Sequence, residues 1–534
     1  MLVGSIQALE MVFLLLLLFV VAFGALAHKL QIPYPIILVV AGLLLGFVPG
    51  TPQITLNPDV IFFVVLPPLL YSAAWLTSWR EFSYNLVSIL FLAFGLVIFT
   101  VLGVARVAPW FLSGFDWRMG FVLGAVVAPT DAIAATSIAT RIGLPKRIVD
   151  ILEGESLVND ASGLLALEFG VAMLVTGHTA TISSGLLRLF YLTTAGIAVG
   201  LVVGLIVNWV EQRIDHAPIE IALSILVPYA VYLAADSIRA SGVLAVVACG
   251  LYLSRKSSNY LSANVRLQAW AVWESLTFIL NGLVFVLIGL QLPYVLKGIQ
   301  NYDLRQLLLY GAIFSALLIA LRVFWTQPGA YISNLIRRRL LHQKEPLPPK
   351  RQIFIVGWTG MRGVISLAAA IALPTTLANG APFVQRDLII FLTFSVILVT
   401  LVIQGLALPP LVRALGLAGP GGRTTEEEEA RRIILETALT YLDKIRGEEN
   451  QDFAELYDDL EEHYRDRLAT LNGDSSDIHS DHHRRLVEVS RKLLQVERQT
   501  AVRLRNEGRI NDELLRELER ELDLSEARFL ASSV

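Results

Sequence analysis

The chain has 534 residues, 55% apolar and 17% charged, with a formal net charge of −3 and a mean hydropathy of +0.61. That composition excludes a single soluble domain and marks a polytopic membrane protein. The small net charge hides a division, because residues 1–420 carry 25 basic and 18 acidic side chains while residues 421–534 carry 18 and 28. A net-basic membrane domain over 1–420 and a tail over 421–534, too polar to insert, are therefore expected. The single cysteine, Cys249, lies in an apolar run and reads as a buried small hydrophobe; no intrachain disulfide is possible.

Apolar windows bounded by Pro, Gly or charge predict thirteen spans, near 9–28, 34–49, 58–78, 85–107, 118–140, 149–176, 185–210, 218–236, 240–254, 265–292, 304–326, 352–373 and 386–415. The second and ninth are short. Ala25-Leu26-Ala27 resembles a signal-peptidase site, but Glu10 stands where a basic leader region belongs, so the first span is expected to be retained.

The fifth and sixth spans each hold carboxylates where lipid would penalise them. A charge at the bilayer centre costs about 2.5–3.5 kcal/mol on insertion scales, so such residues face a bundle interior or a wet cavity. In the fifth, Gly124-Ala-Val-Val-Ala-Pro129-Thr130-Asp131 puts a proline mid-span. The missing N–H frees backbone carbonyls beside Thr130 and Asp131. In the sixth, Glu155, Ser156, Asn159 and Asp160 are spaced i, i+3 and i+4 and so project to one side of a helix. Carboxylate, hydroxyl and amide oxygens on one face are hard ligands suited to a small monovalent cation.

Orientation follows from the connections. Lys29, Arg80, Arg141, Lys146, Arg147, Arg213, Arg255, Lys256, Arg266, Arg337, Arg338, Arg339, Lys344, Lys350 and Arg351 fall on one side, predicted to be cytoplasmic. The tail shares that side, and with an odd number of spans the N-terminus lies outside. Weak internal symmetry accompanies this. The twelfth span carries the break-prone Gly357-Trp-Thr-Gly360-Met-Arg362-Gly363, placed in its half much as Pro129 is in the other. Two six-helix repeats of inverted topology, with crossed discontinuous helices, are therefore predicted. Arg362, always protonated, needs an anion. Glu155 is the predicted partner, in an ion pair bridging the two halves, with Asp160 as the alternative. Arg322 and Asp236 are secondary candidates, more simply read as an interhelix pair or snorkelling groups.

Past Pro420-Gly-Gly, Thr424 or Thr425 followed by four glutamates is an ordinary helix start. Helical patterns run near 426–447, 452–471, 482–508 and 511–530. His479, Asp481, His482 and His483 read as a solvated loop. No phosphate loop, catalytic triad or nucleic-acid motif is present, so neither an enzyme nor a nucleic-acid partner is expected, and the tail reads as a regulatory element.

Ala128-Pro-Thr-Asp-Ala132, Gly154-Glu-Ser-Leu-Val-Asn-Asp-Ala161 and Gly360-Met-Arg-Gly-Val-Ile-Ser366, in that order, resemble the cation:proton antiporter-1 family. Leu66-Pro-Pro-Leu-Leu-Tyr71 resembles a further element of it, and the likeness spans residues 10–415. The resemblance implies an all-α antiporter in which Asp160 carries ion and proton. Asp131, Thr130, Ser156 and Asn159 would surround a monovalent cation, with Glu155–Arg362 as a structural pair. It implies electroneutral Na⁺/H⁺ exchange, because Asn159 stands where electrogenic relatives have a second aspartate. It also implies a mobile core (about 85–176 and 304–415) moving against a dimerisation scaffold (about 9–78 and 185–292), and a homodimer in the inner membrane serving pH and sodium homeostasis. No cofactor is expected beyond the transported Na⁺, K⁺ or Li⁺ and H⁺. A cation channel and a K⁺-selective exchanger are the rival readings.

Overall fold

The computed structural model describes residues 2–49, 58–176, 182–299, 302–343, 346–377, 380–419, 425–448, 454–472 and 477–507, with short pieces up to 525. Apart from one bridge between Thr376 and Pro382, the regular structure among the described residues is helical. The chain divides into two units, Met1–Gly421 and Gly422–Val534.

The first unit contains α1 (Leu2–Leu30), α2 (Tyr34–Gly46), α3 (Pro58–Leu76), α4 (Trp79–Phe111), α5 (Trp117–Val127), α6 (Ile133–Arg141), α7 (Lys146–Thr176) and α8 (Ile182–Glu211). It continues with α9 (Ala217–Ser237), α10 (Gly242–Tyr260), α11 (Ala263–Gly298), α12 (Leu304–Arg339), α13 (Lys350–Trp358), α14 (Val364–Ile371) and α15 (Arg386–Ala414). Among the described residues, nine of these are long and apolar enough to cross a membrane: α1, α3, α4, α7, α8, α9, α11, α12 and α15. The windows predicted near 118–140 and 352–373 are each split in two, into α5 with α6 and α13 with α14. α2 is short, and α10 ends in the polar run Ser254-Arg-Lys-Ser257. The span predicted over 304–326 runs on through Pro328 to Arg339. Thr326 Oγ1 donates to Val323 O at 3.0 Å in the turn before that proline, the kind of side-chain bond that lets a membrane helix absorb a proline.

Apolar side chains cover the outside as well as the interior. Leu14, Leu18, Leu187, Phe190 and Phe324 are 65–69% exposed, a surface matched to lipid rather than water. Inside, small residues let helices close up. A Cβ added at Gly120 or Gly124, four residues apart on α5, would sit 2.9 or 2.8 Å from the Cα of Ala105 or Val101 on α4.

Three π-helical turns, at Ile61–Val65, Phe91–Leu96 and Thr400–Gln404, interrupt α3, α4 and α15. Such turns shift the backbone ladder and expose carbonyls. Neighbours use two carbonyls of the second turn: Trp325 Nε1 donates to Phe91 O at 3.1 Å, and Ser162 Oγ donates to Ala93 O.

The second unit contains α16 (Thr425–Glu448), α17 (Ala454–Asn472) and α18 (Asp477–Asn506). Arg446 ties α16 to α17 through Asp458 at 2.7 Å and Glu461 at 3.0 Å. α18 begins five residues before the predicted boundary, so His479, Asp481, His482 and His483 stand on a helix and not in a loop. The side chains of this segment, the Pro420-Gly-Gly link, Thr424 and most of the helix predicted over 511–530 lie outside the described residues.

Candidate ion-binding site

Proline cannot donate an amide hydrogen, and at Pro129 the fifth apolar segment gives up its helix. α5 stops at Val127 and α6 starts at Ile133. Asp131 helps restart it, its Oδ1 accepting from Ile133 N at 2.9 Å. The second break, Thr359–Gly363, separates α13 from α14. The two breaks touch, Asp131 N donating to Met361 O at 2.8 Å. Glycine is required at 363 because a Cβ there would overlap the Asp131 carboxylate. α7 packs across the first break just as closely, and a Cβ on Gly163 would overlap the Pro129 ring.

α7 brings Glu155, Ser156, Asn159 and Asp160 to this crossing, the first and the last two buried. Here the structure corrects one expectation. Glu155 is paired with Arg322, not with Arg362. Arg322 Nη1 meets Glu155 Oε1 at 2.5 Å and Nη2 meets Oε2 at 2.8 Å, with both side chains 1% exposed. Arg362 finds its acceptors elsewhere: its Nε donates to Val127 O at 3.2 Å and its Nη1 to Gly360 O. Val127 O is at the C-terminus of α5 and Gly360 O lies in the second break, so both carbonyls lack helical partners. The negative end of a half-helix thus holds the guanidinium. Thr400 Oγ1, at the π-turn of α15, accepts from Arg362 N at 3.2 Å.

Thr130 lines the cavity and also joins a hydrogen-bonded brace. Its hydroxyl donates to Glu155 Oε1 at 2.9 Å and accepts from Asn159 Nδ2 at 2.7 Å. Asn159 Nδ2 reaches Thr130 O as well, at 3.2 Å. Thr130, Asn159, Glu155 and Arg322 therefore form a buried brace between α7, α12 and the first break. Asn159 stands behind the cavity wall, not on it.

The cavity itself measures about 190 Å³, and its polar lining includes Thr130, Asp131, Ser156, Asp160, Asn281 and Ser366, with Thr136 and Glu153 further along α6 and α7. Ser156 Oγ accepts from Ala132 N at 3.2 Å and keeps further capacity to coordinate. The Asp160 carboxylate makes no hydrogen bond or ion pair with any described residue although Asp160 is only 6% exposed. Buried polar groups normally have partners, and this one faces a cavity that a second carboxylate also lines. Two carboxylates, a hydroxyl and break-freed backbone can replace part of a monovalent cation's hydration shell. The same oxygens can carry a proton instead.

Asp236 is not brought here; it is exposed at the end of α9 and lines a separate cavity with Ser162 and Glu168. Two contributors, Asn281 and Ser366, lie outside the predicted site, and Arg322 stands in it only as a secondary candidate. Arg322 shows itself in sequence only as a charge in an apolar span. Asn281 is a lone amide in the run Phe278-Ile-Leu-Asn281, buried with Nδ2 unpartnered. Ser366, also buried and unpartnered at Oγ, closes the Gly360–Ser366 motif.

Interrupted helices meeting at an unpartnered buried carboxylate are how secondary transporters build ion sites. A family model described as "Sodium/hydrogen exchanger, transmembrane" matches residues 14–414, and the chain belongs to that family. An uncharacterised Na⁺/H⁺ exchanger of Mycobacterium tuberculosis is 35% identical over 521 residues, covering 96% of this chain and 94% of the relative. A sodium, potassium, lithium and rubidium/H⁺ antiporter of Bacillus pumilus is 34% identical over 440 residues, 79% of this chain and 64% of the relative. The solved sodium proton antiporter of Methanocaldococcus jannaschii superposes with a TM-score of 0.61 at 20% identity, covering 77% of this chain and all of that one. The protein is thus a multi-pass transporter of the cation/proton antiporter class and not an enzyme.

Proposed function

We propose that this protein exchanges Na⁺ for H⁺, one for one, with Asp160 as the shared carrier and Asp131 and Ser156 as the nearest cation ligands. The observation that carries this reading is the pair of carboxylates, Asp160 and Asp131, in one cavity where two broken helices cross. An unneutralised carboxylate in a dry site is costly, so Asp160 crosses the barrier only when it holds a proton or a cation. Competition for the same oxygens, joined to alternating access, makes exchange obligatory without a covalent step. Thr130, Asn159 and the Glu155–Arg322 pair keep the site in shape.

In this reading the two split helices each count as one crossing, which with α2 and α10 makes thirteen crossings in two inverted repeats. Spans about 85–176 and 304–415 move against a scaffold of about 9–78 and 185–292, which also pairs two copies. The Lys146 end of α7 faces the cytoplasm with the helical tail, the N-terminus lies outside, and the exchanger serves pH and sodium homeostasis in the cell membrane. The test is cation-driven collapse of a pH gradient in proteoliposomes, with Na⁺, K⁺ and Li⁺ in turn and the voltage clamped. Na⁺ should collapse the gradient equally with or without the clamp, and Asp160→Asn should remove the response. Unchanged exchange by Asp160→Asn at saturating Na⁺ would exclude the scheme. The name of the Bacillus pumilus relative favours a second reading, broad use of K⁺ and Li⁺, which the same series resolves. Downhill flux without proton coupling would instead mark a channel.

A further inference from the structure

The cavity holds a third carboxylate that the exchange scheme does not use. Glu153 lines it together with Asp131 and Asp160. On α7, Glu153, Ser156 and Asp160 are spaced i, i+3 and i+7, so they form one stripe, with Glu153 two turns nearer the Lys146 end. At 1.5 Å per residue that is about 10 Å along the axis. The Glu153 side chain is partly exposed, and among the described residues it has no hydrogen bond or ion pair. The charges acting on it are Asp150 and Lys146, earlier on the same helix; Glu81 acts in turn on Asp150. Ala73, Leu76 and Thr136 line the same cavity, and no basic side chain stands among the lining residues.

Three carboxylates in a low-dielectric recess with no lining cation produce a negative potential that concentrates cations. We infer that Glu153 collects the incoming cation at the Lys146 end of α7 and passes it along the stripe to Asp160, so that it sets apparent cation affinity from that face and not the turnover rate. This rests on the antiport reading above. A unit charge about 10 Å from the site, at an effective dielectric constant of about 20–40, changes cation occupancy roughly four- to fifteenfold.

The test uses the full chain in everted and right-side-out membrane vesicles, with Na⁺ supplied to one face at a time. At low salt, Glu153→Gln should raise the half-saturating Na⁺ roughly four- to fifteenfold on the Lys146 face. The opposite face and the saturating rate should be unchanged. Added choline chloride should raise the wild-type value on that face and shrink the difference between the two proteins. Glu153→Asp should keep most of the wild-type affinity, and Asp150→Asn, which removes a charge from the same helix outside the cavity, should raise the half-saturating Na⁺ by a clearly smaller factor than Glu153→Gln does. The inference is overturned if Glu153→Gln stays within twofold of wild type, shifts both faces equally or lowers only the saturating rate. An Asp150→Asn shift as large as that of Glu153→Gln, or a wild-type value that ignores salt, also overturns it. A wild type that does not exchange at all defeats the antiport reading instead, so the two failures are distinct.

Discussion

Removing Arg322 should destabilise this protein more than removing any other single charge in the bundle, Arg362 included. Arg322 offers Glu155 two donors, at 2.5 and 2.8 Å, and Val356 O two longer ones, at 3.3 Å from Nε and 3.2 Å from Nη2. With both partners 1% exposed, Arg322→Ala leaves a buried carboxylate with the Thr130 hydroxyl at 2.9 Å as its remaining close donor. Breaking one side of such a pair costs about 3–5 kcal/mol, because the surviving charge stays desolvated. Arg322→Lys keeps the charge but loses the planar fork, and should cost about 1–2 kcal/mol. Replacing both partners by Met removes the desolvation penalty along with the attraction, so the double variant should recover at least about 2 kcal/mol relative to the sum of the singles. Unfolding in mixed micelles, followed by tryptophan fluorescence, would give these values. The same cycle run on Arg362 and Glu155 should show coupling below about 1 kcal/mol, since backbone carbonyls hold Arg362. Additive Arg322 and Glu155 effects, or the larger coupling at Arg362, would refute the assignment.

Three further outcomes follow from the same geometry. Gly363→Ala has an extended backbone that alanine accepts (φ −117°), but its Cβ would displace the Asp131 carboxylate; exchange should fall at least about tenfold in a protein that stays monodisperse, and a loss under twofold would contradict the contact. Lower pH should raise the half-saturating cation concentration, by up to about tenfold per unit, while the rate at saturating cation stays level, because protons and cations compete for one set of oxygens. A saturating rate that fell in step with pH would count against a shared site. Ser156→Ala should weaken cation affinity with little effect on stability, whereas Thr130→Val, which cuts the brace to Glu155 and Asn159, should cost about 1–3 kcal/mol of stability. Equal stability of the two variants would show that Thr130 is not structural.

Much of this protein is legible along the chain. Apolar length and the charge between windows mark the spans, since a helix is the local answer to burying backbone in lipid and needs no distant partner. Pro129 and the glycines around Arg362 announce the two interruptions, and the i, i+3, i+4 spacing of Glu155 to Asp160 places four polar groups on one face of α7 before any packing is known. Pro328 misleads, since its turn is maintained within α12 and the helix continues.

What the chain alone left open was which charge meets which. Arg322 and Arg362 are both lone cations in apolar segments, and nothing in their spacing from Glu155 separates them. The crossing of the interrupted helices decides it, because half-helix ends expose carbonyls at Val127 and Gly360 that satisfy Arg362 and leave Glu155 to Arg322. The same packing gives Thr130 a brace to Glu155 and Asn159 while leaving it on the cavity lining. Local sequence determines where backbone and charge are interrupted; only the assembled bundle determines which interruptions face each other, because ion pairing depends on separations of a few ångströms between residues more than a hundred positions apart.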